Sequence, residues 1–173
     1  MARRVVSDRG SLVSLAALGS LFGHYGGDYL VQDDCMAAHK QQRTRCGRRE
    51  LVLHAGTYAA TQAVTKAVFY QVAGLRVPLL AQLAGAAVEG VLHAVIDDGR
   101  LLKRFSRIGA GRARFTDEQG RPLGRQERFH DLAAAGVNGR MLMDQAIHHQ
   151  VQIPAGVLVT VAVATLISRK AGR

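Results

Sequence analysis

The sequence predicts an all-α protein, a bundle of four to five helices in one domain over residues 1–173, with a long basic insertion between the third and fourth helices. Three observations carry this. The stretches 11–27, 51–65, 77–88 and 151–168 hold no Asp, Glu, Lys or Arg and are rich in Ala and Leu. Polar residues within them recur at helical spacing rather than at every second position. Basic connectors, at 40–50 and 99–138, separate the apolar stretches.

Each helix has a local reason. Segment 11–31 begins at Ser11, an N-cap residue type placed after Gly10. Segment 49–73 closes at Gly74, suited to the left-handed residue that ends a helix. Segment 77–98 carries Pro78 early, where a helix tolerates it, and is followed by Gly99. Segment 139–150 meets Pro154, which either starts or kinks the last apolar run, 153–168. Within the long connector, Glu118-Gln-Gly-Arg-Pro-Leu-Gly124 is turn chemistry that allows a short hairpin.

With 48% hydrophobic and 21% charged residues, the composition excludes a disordered chain. Two Cys exclude a disulfide framework, and 5% aromatics without Trp argue against a base-stacking surface. The 23 Lys+Arg against 13 Asp+Glu give a net charge of +10. That excess favours anionic partners: nucleic acid, a phosphorylated small molecule or an acidic membrane surface. Five basic residues crowd Lys40–Arg49 and nine more lie between Arg100 and Arg128. The run 151–168 is close to the ~20 residues of a membrane span and precedes Arg169, Lys170 and Arg173. A mean hydropathy of +0.03 is nonetheless low for a multi-span chain. A cytoplasmic or membrane-associated protein is expected. The N-terminal stretch, with Asp8 ahead of its apolar part and no small-x-small site, does not read as a cleaved signal peptide.

The chemistry lies in His and Asp four residues apart. His24–Asp28, His93–Asp97 and Asp144–His148 all have this spacing, and His54 follows Leu51, Val52 and Leu53 on another apolar helix. Positions i and i+4 share a helix face, ~5–6 Å apart at Cβ, so both side chains reach one ion. Any single pair could be a hydrogen-bonded structural pair. Three pairs and His54 bring three carboxylates into apolar surroundings, where buried charge needs a counter-charge. A divalent ion supplies it, and N and O ligands suit Zn, with Mn or Fe as alternatives. Seven ligands fit two ions with one bridging Asp.

Secondary candidates are fewer. Glu89, one turn before His93, and Gln145, beside Asp144, could orient ligands from a second layer; Glu50 and His149 stand in similar places. Cys35, His39 and Cys46 match no strong zinc spacing. Tyr25 and Tyr58 read as packing residues, and Lys66 is not placed with the pairs. No phosphate-binding glycine loop or nucleophile elbow is present.

The ordered motifs His24-x₃-Asp28-Tyr-Leu-x-Gln32, Leu53-His54, Leu92-His93-x₃-Asp97 and Asp144-Gln145-x₂-His148 resemble the domain-of-unknown-function family 3307, in its actinobacterial and phage form. The resemblance covers about residues 15 to 150 and implies possible membrane residence. More remotely, the chain is similar to helical zinc phosphodiesterases, the single-strand-specific nucleases and bacterial zinc phospholipases C, whose H-x₃-D pairs hold several zinc ions. His24/Asp28 and His93/Asp97 match that pair. The third pair is reversed and no N-terminal Trp ligand exists, so the similarity implies a mono- or dinuclear site.

The expected function is a metal-dependent hydrolase of phosphodiesters or phosphate esters. Its metal ligands are His24, Asp28, His54, His93, Asp97, Asp144 and His148, and Arg100, Lys103 and Arg104 hold the anionic substrate. One alternative is a non-enzymatic nucleic-acid binder or regulator that uses basic residues such as Arg112 and Arg114. Another is a small integral membrane protein with a buried His/Asp cluster.

Overall fold

A computed structural model describes residues 9–108, 116–127 and 138–171. Their helices are α1 (Arg9–Gly26), α2 (Asp34–His39), α3 (Arg45–Val72), α4 (Leu79–Asp97), α5 (Arg100–Ser106), α6 (Gly139–Ile147) and α7 (Ile153–Ala171). Wider π-type turns follow α1 at Gly27–Val31 and join α6 to α7 at His148–Gln152. No strand forms among the described residues, so the all-α expectation holds. Arg112 and Arg114 lie outside the described residues.

Several boundaries move for identifiable reasons. The chain is already helical at Arg9, so Ser11 lies inside α1 and is not its cap. Thr44 caps α3 by accepting from the Gly47 N–H, which starts the helix four residues before the expected position. Asp33 caps the unforeseen α2 by accepting from the Met36 N–H. Pro78 is the residue before α4, extended at ψ 135°, rather than a residue within it. Gly99, at φ 76°, both ends α4 and starts α5, a reversal that an L side chain would resist. Pro154 neither stops nor starts the final helix. The π-type turn just before it absorbs the missing N–H, and Gly139–Ala171 runs on as one helix. The hairpin expected at 118–124 reduces to a single bridge, Thr116–Pro122, around Gly120. There the Arg121 backbone N–H holds the Asp117 carboxyl below its ordinary range.

The four long helices close a ring in which α1 packs on α3, α3 on α4, α4 on α7, and α7 on α1. Chain direction alternates around it, the up-down-up-down arrangement of simple bundles. Each helix turns one stripe of strict four-residue spacing inward. On α1 and its π-type turn the stripe is Leu12, Ala16, Ser20, His24, Asp28; on α3 it is Glu50, His54, Tyr58, Gln62, Lys66, Tyr70. On α4 it is Ala81, Gly85, Glu89, His93, Asp97; on the final helix it is Asp144, His148, Gln152, Gly156, Thr160, Ala164. Glycines allow the stripes to meet. A Cβ on Gly23 would lie 2.7 Å from Gln62 Cα, and one on Gly27 would lie 2.7 Å from the Tyr58 ring.

The bundle is consequently polar inside over half its length. Ser20, Glu89, Gln62, Lys66 and Gln152 are all 3% exposed or less, and an apolar cluster including Leu12, Ala16, Ala81 and Ala164 fills the end away from the His/Asp pairs. Large apolar side chains instead line the outside: Phe22 on α1, Val64 and Val68 on α3, Leu80, Leu83 and Val91 on α4, and Leu158 and Leu166 on α7 are each at least half exposed. Two helices, Leu79–Asp97 and Gly139–Ala171, are long and apolar enough to cross a membrane, with mean hydropathy 1.7 and 2.0.

Candidate metal centre

The alternating chain direction brings the C-terminal ends of α1 and α4, the early part of α3 and the α6–α7 junction to one end of the bundle. All seven expected metal ligands converge there. His24, His54, His93 and His148 are 0% exposed. The Asp28, Asp97 and Asp144 side chains are 7%, 1% and 18% exposed. Two of these residues, Asp28 and His148, sit on the π-type turns, which re-aim side chains that a regular helix would point elsewhere.

Three groups lie close enough to hold an ion: His24, His93 and His148; Asp28, His54 and His93; and Asp97, Asp144 and His148, the latter two with carboxylates. Asp28 Oδ1 is 3.5 Å from both His54 Nε2 and His93 Nε2, and those two nitrogens are 2.9 Å apart. His148 Nε2 is 3.2 Å from Asp97 Oδ1 and 3.4 Å from Asp144 Oδ2. Ligand atoms around a tetrahedral ion bound at about 2.0–2.1 Å lie about 3.3 Å apart, so both trios have the spread that an ion needs. Asp97 joins them: while Oδ1 faces His148, Oδ2 lies 2.8 Å from His54 Nε2 and 3.2 Å from His93 Nε2. That is the position of a bridging carboxylate. Asp28 Oδ1 and Asp144 Oδ1 are buried with no hydrogen-bond partner, an arrangement costly unless a cation faces them. The donor set therefore fits a metal, and these His/Asp groups could hold one.

The pocket is not free of protein cations. Lys40, assigned by sequence to a solvated connector, reaches back from beyond α2, its side chain 14% exposed. Its Nζ donates to Asp97 Oδ2 at 2.7 Å and Gln32 Oε1 at 2.6 Å, and lies 3.2 Å from His54 Nε2. Three carboxylates therefore share this one ammonium and four imidazoles. The only hint in the sequence was residue type, a Lys in an Arg-rich connector.

Other assignments change. Tyr58 is a polar hub as well as a packing residue. Its ring stacks on His93 at 3.5 Å between centroids, and its hydroxyl meets His24, Gln62 and Gln152. Its four-residue register with His54, Gln62 and Lys66 was a signal in the sequence. Gln145 bridges His24 and Asp28 and lies in the site. Glu89 orients no ligand: it accepts from Lys66 Nζ at 2.5 Å and Ser20 Oγ at 2.8 Å, deeper in the bundle. Glu50 pairs with Arg49 at 3.5 Å rather than with His54. The His149 ring packs edge-on to His24 and Tyr25, and the exposed Tyr25 also stacks on Tyr29. Cys35 and Cys46 are exposed free thiols, and no His/Cys/Asp/Glu cluster among the described residues includes them.

A cleft of about 310 Å³ opens onto the centre between Asp28, Lys40, Asp144 and Gln145. A larger cavity of about 1080 Å³ adjoins it through Gln41 and Arg140, which line both. Arg100 and Lys103 line the larger cavity together with Arg43, Arg107 and Arg121. Arg100 and Arg43 are paired with Asp98 there, and Arg104 lines neither space. The expected anion-binding group thus stands beside the centre, not over it, and Arg140 is the basic residue on the threshold. Compared with protein-family models, curated proteins and solved structures, the chain matches none.

Proposed function

We propose that this chain is a membrane-embedded, metal-dependent hydrolase of phosphate esters or phosphodiesters. The convergence of six carboxylate and imidazole ligands from four helices into two trios sharing Asp97, at the floor of an open cleft, carries the reading. Asp28, His54 and His93 would hold one ion and Asp97, Asp144 and His148 the second. Zinc suits this donor set, with manganese or iron as alternatives. When bound, such ions supply a water of lowered pKa and Lewis-acid stabilisation of a phosphoryl oxygen. The chain itself supplies the access and the anion-holding charge. Arg140 and Lys40 stand at the cleft with guanidinium and ammonium groups for phosphoryl oxygens. The remote similarity of the His24/Asp28 and His93/Asp97 pairs to those of helical zinc phosphodiesterases supports the same chemistry.

Residence in the membrane is supported by the inverted distribution of polarity. Polar stripes face inward, apolar side chains face outward, and α4 at 19 residues is about 28 Å long, close to a bilayer's apolar thickness. Gly19, Gly23 and Gly27 form the small-residue spacing that membrane helices use to approach closely. Among the described residues, the connectors at the site end (27–50, 98–108, 116–127 and 138–140) contain 12 Lys+Arg, against four at the other end, Arg9, Arg76, Arg169 and Lys170. That asymmetry supports a site facing the cytoplasm.

The test is a metal titration of detergent-purified protein, followed by hydrolysis of bis-p-nitrophenyl phosphate and p-nitrophenyl phosphate. Divalent metal is taken up, and turnover of at least one ester is abolished by chelation and restored by metal. A protein that takes up no divalent metal ends the hydrolase reading. Release from membranes by alkaline carbonate ends the membrane placement alone.

A further inference from the structure

We infer that His24 is not a ligand of the centre but a fixed hydrogen-bond donor aimed into it, its Nε2 carrying the proton. Its consequence for catalysis rests on the metal reading above; its geometry does not. The resemblance to zinc phosphodiesterases implies the opposite, since there both members of an H-x₃-D pair bind metal.

The first line of argument runs through Gln145. Its Nε2 lies 3.2 Å from Asp28 Oδ2 and its Oε1 lies 2.8 Å from His24 Nε2. An ionised carboxylate only accepts, so the amide nitrogen must face Asp28. The amide oxygen left facing His24 also only accepts. His24 Nε2 must therefore donate.

The second line reaches the other ring nitrogen from different helices. Gln62 Nε2 donates to the Ser20 carbonyl at 3.0 Å, which fixes that amide, and its other N–H meets the Tyr58 hydroxyl at 2.8 Å. Gln152 Nε2 donates to the same oxygen at 2.5 Å. Both acceptor positions of the phenol are then filled. Its own proton goes to the remaining partner, His24 Nδ1 at 2.9 Å. His24 is thereby a neutral ring that accepts at Nδ1 and donates at Nε2. The Gln145 contact sets the tautomer, and the Tyr58 network completes it at the other nitrogen.

His148 shows the contrast. With Gln152 Nε2 committed to Tyr58, Gln152 Oε1 accepts from His148 Nδ1. His148 Nε2 faces only carboxylate oxygens, Asp97 Oδ1 at 3.2 Å and Asp144 Oδ2 at 3.4 Å, so without an ion it donates to them, and a bound cation would take the place of that proton. Because Gln145 also lines the cleft, an anionic oxygen displacing its Oε1 would receive the His24 N–H instead. His24 would hold a phosphoryl oxygen of the substrate, with Tyr58 as its positioning residue.

Long-range ¹H–¹⁵N correlation of the histidine rings in the detergent-solubilised, metal-free protein tests the tautomers directly. His24 is expected as the Nε2–H form, and Tyr58→Phe should weaken that preference. In parallel, at saturating Zn²⁺, His24→Gln retains the wild-type metal stoichiometry whereas His93→Gln loses at least one ion. An Nδ1–H ring at His24, or an equal loss of metal in both variants, overturns the inference. If the wild-type protein binds no metal, the hydrolase reading fails and the ring spectrum still decides this one.

Discussion

Asp97 and Asp98 are adjacent in sequence and opposite in circumstance, which makes the pair a sharp test of the centre. The Asp97 side chain is 1% exposed, with both oxygens committed to groups from α3, α4 and the α6–α7 junction and to Lys40. Asp98 points outward to Arg43 and Arg100. Asp97→Asn keeps the size and removes the charge. Breaking a buried charged contact costs roughly 3–5 kcal/mol, and at about 1.4 kcal/mol per tenfold that corresponds to roughly a hundred- to several-thousand-fold weaker divalent binding. The bridging position puts the effect on both ions. Asp98→Asn should leave affinity within about threefold, since exposed pairs are worth roughly 0–1 kcal/mol. Competition against a chromophoric zinc chelator, on detergent-purified proteins of equal helicity, measures both. Equal affinities for the two variants, or Asp97→Asn within threefold of wild type, would refute the shared-carboxylate geometry.

Further outcomes follow from the polar interior. Lys66→Met leaves Glu89 buried without its ammonium and should cost roughly 3–5 kcal/mol, a melting-point fall of about 6–20 °C at roughly 2–4 °C per kcal/mol for a chain of this size. Adding Glu89→Gln should recover most of it, and a double variant no more stable than the single one would show that the pair is not coupled. Lys40→Met removes the ammonium 2.7 Å from Asp97 and should tighten divalent binding about tenfold, because a fixed cation there repels the incoming ion. Calorimetric titration showing weaker binding would instead make Lys40 part of the loaded site.

Periodicity made the helices legible, and for the same reason it exposed the ligands. The spacing of His24–Asp28, His93–Asp97 and Asp144–His148 is a local property: two positions four apart share a face wherever that helix is placed. Lys40 was not legible, since a long side chain in a polar connector has no period and its destination depends on how α2 folds back. Neither was the partner of Glu89, whose one-turn register with His93 suggested an orienting role, while Lys66 across the α3–α4 contact claimed it. Mean hydropathy concealed the inverted bundle, because charged connectors offset apolar outer faces in any average over the chain.

The sequence by itself determined that three apolar helices carry imidazole and carboxylate pairs and a fourth carries His54, since backbone geometry ties spacing to face without reference to any neighbour. Tertiary structure alone decided that the pairs share one end of the bundle and that Asp97 stands between two trios. It also decided that Tyr58 and Gln145 fix the proton of His24. Those facts depend on distances between helices, set by close approach at Gly23 and Gly27, and on donors and acceptors whose roles are defined only once their partners are in place.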